Sequence, residues 1–172
     1  EIWPEHVGAH EELLIVYGGL GDWPKVITTL SKLIEIEGES AHRLSMRGLA
    51  YLNVDEFQKA ESDFLKVRSL EPENYEATYG LGIVLLVYYD NLEEAIKMFD
   101  LTIHLNENVI DGYFNRAWIL YLLGHDEEAK QNCNMTVNLQ DSGTLISTYE
   151  SCEIYEYKGE SVFATTLSNG EV

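Results

Sequence analysis

His6 and His10 stand four residues apart, a spacing that puts two imidazoles on one face of a helix, and Glu11 and Glu12 follow at once. That combination suggests metal ligation. Two ligands fall short of the four that a structural zinc site takes, so these histidines read as solvated or lightly packed, and no metal is expected. His42, His104 and His125 are isolated, with no cysteine or second histidine nearby. The chain contains no glycine-rich phosphate loop, nucleophile elbow or thiol pair at metal spacing. Carboxylates abound, yet none forms an evident pair of raised-pKa acid and neighbouring base. No catalytic residue and no cofactor are expected, and the chain reads as a binder, not an enzyme.

The elements that position binding residues announce themselves by repetition. Gly48-x2-Tyr51, Ala60-x3-Phe64 and Pro72 form one phrase, and parts of it return as Gly82/Leu85, Ala95/Phe99, Ala117/Leu120 and Ala129/Cys133. Weaker forms precede it as Leu14/Tyr17 and Val26/Leu30. Leu30, Phe64, Phe99 and Cys133 are separated by 34, 35 and 34 residues. A fixed period of this size marks a solenoid. Small residues at 48, 82 and 117, and at 60, 95 and 129, let two helices approach closely, while Tyr51 and Phe64 fill the space between hairpins. A single hairpin cannot bury its apolar face alone, so neighbours must stack.

The phrase resembles the tetratricopeptide repeat, almost whole in the second unit and degraded in the others. The resemblance implies an all-α, right-handed superhelical solenoid of antiparallel helix hairpins, with a C-terminal cap. Four units are expected at 7–40, 41–74, 75–109 and 110–143, then a tail over 144–172. Asp22 with Pro24 reads as a helix start, Asp55 with Gln58 as a capping box, and Asp126-Glu127-Glu128 as an acidic first turn. The third unit carries one extra residue in Tyr88-Tyr89-Asp90-Asn91, which predicts a looser turn.

At 172 residues and 45% hydrophobic content the chain is one domain with a continuous apolar core. A net charge of −19, from 11 basic and 30 acidic residues, argues against nucleic acid and against anionic membrane surfaces. A positive partner and simple solubility are both compatible with it. No apolar run reaches the roughly 20 residues of a spanning helix, so no membrane insertion is expected. Two cysteines make no disulfide framework: Cys133 is expected to be buried and inert, and no pairing is argued for Cys152. Few cysteines and no signal peptide point to a reducing, cytoplasmic compartment. The sequence begins at Glu1 without an initiator methionine, which reads as a trimmed or mature fragment.

The resemblance also implies that the first helix of each pair lines a concave face. Carried onto this sequence, Ser45, Met46, Leu49 and Leu52, then Tyr79, Gly80, Ile83 and Leu86, then Phe114, Trp118 and Tyr121 fall on that face. Glu11, Glu12, Glu76 and Asp111 fall along its edge, with no Lys or Arg among the groove positions. An apolar stripe of that size implies a covering partner, and its aromatics are anchor types. An external protein segment, or the chain's own tail, would serve. Co-chaperones of this family that grip acidic chaperone tails use Lys, Arg and Asn where this chain offers Glu11/Ile15, Met46 and Glu76/Gly80, or Ser45/Leu49, Gly80 and Asp111/Asn115. An acidic tail would be repelled.

Leu145, Tyr149 and Cys152 fall at helical spacing, so a capping helix is expected to about Tyr157, with an irregular or extended end. The β-branched and aromatic run from Ile154 to Phe163 also suits a hairpin. An extended end is free to pair with another chain and give a homo-oligomer. The leading functional reading is an adaptor or chaperone-like module that holds an apolar, basic segment of a partner protein. The alternative is a scaffold fragment of a larger assembly, its groove filled by its own tail.

Overall fold

Local signals start three of the helices. Asp22 Oδ1 accepts from Lys25 N at 3.3 Å at the head of a helix with Pro24 in its first turn, Ser40 Oγ accepts from Arg43 N at 3.3 Å, and Asn74 Oδ1 accepts from Ala77 N at 2.9 Å. Each satisfies an amide that the first helical turn leaves unpaired. The computed structural model describes residues 7–141, 149–157 and 160–167, with side chains from 7 to 136. His6, residues 142–148 with Leu145 among them, and Gly159 lie outside the described residues. Among the described residues the helices are α1 (Val7–Gly19), α2 (Trp23–Glu37), α3 (Ala41–Leu52), α4 (Phe57–Leu70), α5 (Tyr75–Val87), α6 (Leu92–Leu105), α7 (Ile110–Leu122) and α8 (Asp126–Asp141). Strands β1 (Tyr149–Tyr157) and β2 (Glu160–Leu167) follow.

The capping box expected at Asp55 is absent. Asp55 adopts φ +58 in the turn, Glu56 occupies the cap position, and no side chain caps α4. The end of α3 decides this: Asp55 N and Glu56 N bond back to Leu52 O and Tyr51 O, which draws Asp55 into the left-handed region.

The chain divides into two compact units, residues 1–98 and 99–172. In the first, α1 packs on α2, α2 on α3, α3 on both α4 and α5, and α4 on α5. Phe64, Leu44, Val67, Leu81 and Val84 close around Ala41, Ala60 and Ala77, while Val26, Leu30 and Ala50 form a second cluster beneath Tyr17, Trp23 and Met46. In the second unit α7 packs on α8, and Ala117 meets Cys133. The recurring positions Leu30, Phe64, Phe99 and Cys133 are all 0% exposed, so each lies in the core of its unit. Tyr51 is only half-buried, with Lys59 Nζ 5.6 Å from its ring centre.

Cys133 is disulfide-bonded, which corrects the reading of an inert core thiol. The other cysteine in the sequence, Cys152, falls within β1, and β1 packs against α8.

The tail departs from the expected helix. β1 and β2 pair antiparallel, with Ile154 opposite Phe163 and Tyr155 opposite Val162, and the register shifts between Tyr149 and Ser151. The i, i+4, i+7 spacing of Leu145, Tyr149 and Cys152 imitates a helix face, but Tyr, Ile, Val, Phe and Thr dominate the run and favour a pleated strand. Among the described residues no helix is long and apolar enough to cross a membrane.

Candidate functional site

In the first unit, α3 turns Ala41, Leu44, Ser45 and Gly48 into the core, an i, i+3, i+4, i+7 stripe. Met46, Leu49 and Leu52 flank it and are half-buried: Leu49 and Leu52 pack against the Phe64 cluster, Met46 against the Leu30 cluster. On α5 the buried residues are Ala77, Thr78, Gly80, Leu81, Gly82 and Val84. Tyr79, Ile83 and Leu86 share another face at i, i+4, i+7 and remain half-buried, with Glu76 half-buried two turns before Ile83. Because α3 and α5 pack directly, two helices supply these residues side by side.

Two residues assigned to this face belong elsewhere. Ser45 is 0% exposed, its hydroxyl lacking a hydrogen-bond partner among the described residues, because it completes the core stripe of α3. Gly80 is buried under the ring of Phe64, and its missing side chain makes room for that ring.

In the second unit α7 buries Gly112, Tyr113, Ala117, Ile119 and Leu120. Phe114, Trp118 and Tyr121 lie at i, i+4, i+7 on a further face: Phe114 is 43% exposed, the other two half-buried. The rings of Trp118 and Tyr121 sit 6.1 Å apart at 37°. Asp111, like Glu11 and Glu12 of the first unit, is exposed.

The arginines of the first helices are committed to the second helices. Arg47 donates from Nε and Nη2 to both oxygens of Asp63 at 2.7 and 2.8 Å, and from Nη1 to Ser31 Oγ at 3.1 Å. This bidentate bond raises the Arg47 pKa above its ordinary value, and Asp63 is almost wholly buried. Arg116 repeats the arrangement 69 residues on, donating to Asp100 at 2.7 Å and Asn132 at 2.6 Å. Arg43 pairs with Glu37.

His10 lies away from these faces, in a cleft of about 570 Å³ between α1 and α2 lined also by Leu13, Tyr17, Ile27, Thr28 and Lys32. Lys25 at its rim stands 5.1 Å from the Tyr17 ring centre and is held by Asp22 at 2.6 Å. The repeat pattern gives no sign of this cleft, because it arises within the first hairpin and not at the crossings that the period marks. Among the described residues no group of three or more His, Cys, Asp or Glu is placed to hold a metal.

Solved structures share this fold. A structure of MamA is 22% identical with a TM-score of 0.66, the match covering 81% of each chain. YrrB, described as a TPR protein with an unusual peptide-binding site, is 16% identical with a TM-score of 0.62 over 81% of this chain and 71% of its own. TTC0263, a thermophilic TPR protein in Thermus thermophilus, is 14% identical with a TM-score of 0.68 over 78% and 75%. No family model matches the chain, and no curated protein matches it in sequence. The helices have the tetratricopeptide-repeat fold.

Proposed function

We propose that this tetratricopeptide-fold chain is a protein-interaction module, an adaptor or chaperone-like domain, that binds an apolar segment of a partner protein carrying basic residues. The faces that bind are those of the first helices: Met46, Leu49 and Leu52, Tyr79, Ile83 and Leu86, and Phe114, Trp118 and Tyr121. The observation that carries this reading is their incomplete burial at helical spacing, on helices whose opposite faces are packed. Aromatic and aliphatic side chains so placed gain most when a partner removes them from water. Glu11, Glu76 and Asp111 add negative charge, and the first-helix arginines Arg47 and Arg116 are already held by Asp63 and Asp100. A basic flank on the partner segment therefore fits better than an acidic one. The description of YrrB as peptide-binding concerns that protein and agrees with the reading. Against self-coverage by the tail, β1 packs on α8, a second helix.

The test is a screen of 12-residue peptides alternating apolar and basic residues, followed by titration of the best binder. Trp118→Ala and Ile83→Asp should each weaken binding by about 2 kcal/mol or more, the scale of a hot spot. Parent-like binding by both variants would transfer the function to another surface.

A further inference from the structure

The turn between α5 and α6 holds an aromatic surface that the first-helix faces do not use. From Gly82 to Ala95 is 13 residues, where Gly48 to Ala60 and Ala117 to Ala129 span 12. The backbone absorbs the extra residue by reaching back: Tyr89 N bonds Val84 O at 3.2 Å, Asn91 N bonds Leu85 O at 2.9 Å, and Asp90 takes φ +50. That widened turn keeps two aromatic residues out of the core. Tyr88 is 43% and Tyr89 49% exposed.

Both are nonetheless pinned. Phe57 of α4 stacks on Tyr88 with centroids 5.6 Å apart, and Tyr89 meets Tyr88 edge to face at 4.9 Å. The Gln58 amide donates to the Tyr88 hydroxyl, and the Tyr89 hydroxyl donates to Glu61 at 2.8 Å. That hydrogen bond to Glu61 raises the Tyr89 pKa above the ordinary phenol value. The result is three ordered rings with a carboxylate at the rim. Asp90 is exposed beside them, and exposed Asp55 and Glu56 precede Phe57 in the chain. The nearby cation Lys59 is engaged, 3.2 Å from Glu56 and above the Tyr51 ring.

We propose that Phe57, Tyr88 and Tyr89 seat a Lys or Arg side chain from a basic segment of a partner protein. Aromatic faces carry partial negative charge that attracts a cation, and the Glu61 and Asp90 carboxylates reinforce it. A purely apolar side chain would sit beside those charges at a cost, whereas Lys and Arg offer an aliphatic stem for the rings and a charge for the acids. This surface does not rest on the first-helix reading, and either can fail alone.

N-acetylarginine amide is the probe, with N-acetylcitrulline amide as its neutral counterpart, followed by NMR of the aromatic ring protons. The arginine probe should shift Phe57, Tyr88 and Tyr89 saturably. The citrulline probe and Glu61→Gln should each bind about two- to fivefold more weakly, the ratio an exposed cation–π contact supplies. Tyr89→Ala should abolish the response. Unchanged Phe64 and Trp23 resonances would show that this variant is folded, and if it is not, Glu61→Gln decides. Equal shifts from both probes would overturn the proposal, as would arginine shifts confined to other rings. Concentration-dependent self-association that Tyr89→Ala removes would also overturn it, by giving the surface to a second copy of the chain.

Discussion

The ring of Phe64 occupies the space a side chain on Gly80 would need: a Cβ built at residue 80 would lie 2.3 Å from two of its atoms. The same ring closes on Gly48 of α3, where a Cβ would meet it at 2.6 Å. One aromatic side chain from α4 is thus gripped between glycines of α3 and α5, which ties two successive hairpins together. Gly80→Ala should destabilise by about 1–3 kcal/mol, because overpacking a fully buried ring outweighs the roughly 1 kcal/mol that alanine gains in a helix. Urea denaturation measures it, and Phe64→Leu in the same chain should recover part of the loss. A Gly80→Ala variant more stable than the parent would show that the ring yields easily.

Phe64→Ala should cost about 3–5 kcal/mol, the range for emptying a large, fully buried aromatic site. Tyr51→Ala should cost distinctly less, since Tyr51 is half-buried and Phe64 is 0% exposed. Equal losses at the two positions would contradict the burial described for Tyr51.

The two arginine clasps should differ in strength despite their common pattern. Asp63 is 5% exposed in its side chain, Asp100 57%. Asp63→Ala leaves Arg47, only 15% exposed, without its bidentate acceptor, and should cost about 3 kcal/mol. Asp100→Ala should cost no more than about 1 kcal/mol, because water already screens that pair and Arg116 keeps Asn132. Thermal melts of the two variants side by side would settle the order, and a larger effect at Asp100 would reverse it.

The residues that stabilise this fold and those expected to bind are not equally legible in the sequence. Leu30, Phe64, Phe99 and Cys133 reveal themselves by period, because every hairpin must fill the same gap. Family positions carry the first-helix faces onto this chain but misplace Ser45 and Gly80, whose burial depends on how wide a stripe each helix turns inward. A serine and a glycine do not advertise a core position. The tail misleads because three residues at helical spacing mask a run of strand formers, and strand pairing depends on a partner segment that periodicity does not weigh. The disulfide at Cys133 is illegible for a related reason: two cysteines in a sequence say nothing about proximity. At Tyr88 and Tyr89 the extra residue is visible, yet its effect, a widened turn holding rings in water, needs the backbone path.

The last prediction separates carboxylates that work in recognition from ones that only keep the chain soluble. Glu11 and Asp111 are exposed and Glu76 half-buried, in a chain of net charge −19. If they steer a basic segment, association should quicken at low salt, since opposite charges act across a Debye length of about 30 Å at 0.01 M and only about 3 Å at 1 M. A bound peptide with three lysines should lose about tenfold or more in on-rate between those limits, while its off-rate changes far less. A neutral peptide with the same apolar residues should show no such dependence, and Glu76→Gln with Asp111→Asn should flatten the slope for the lysine peptide. Stopped-flow measurement of all three would decide. An on-rate for the lysine peptide as insensitive to salt as that of the neutral one would leave these carboxylates no role in recognition, and binding would then rest on the apolar faces alone.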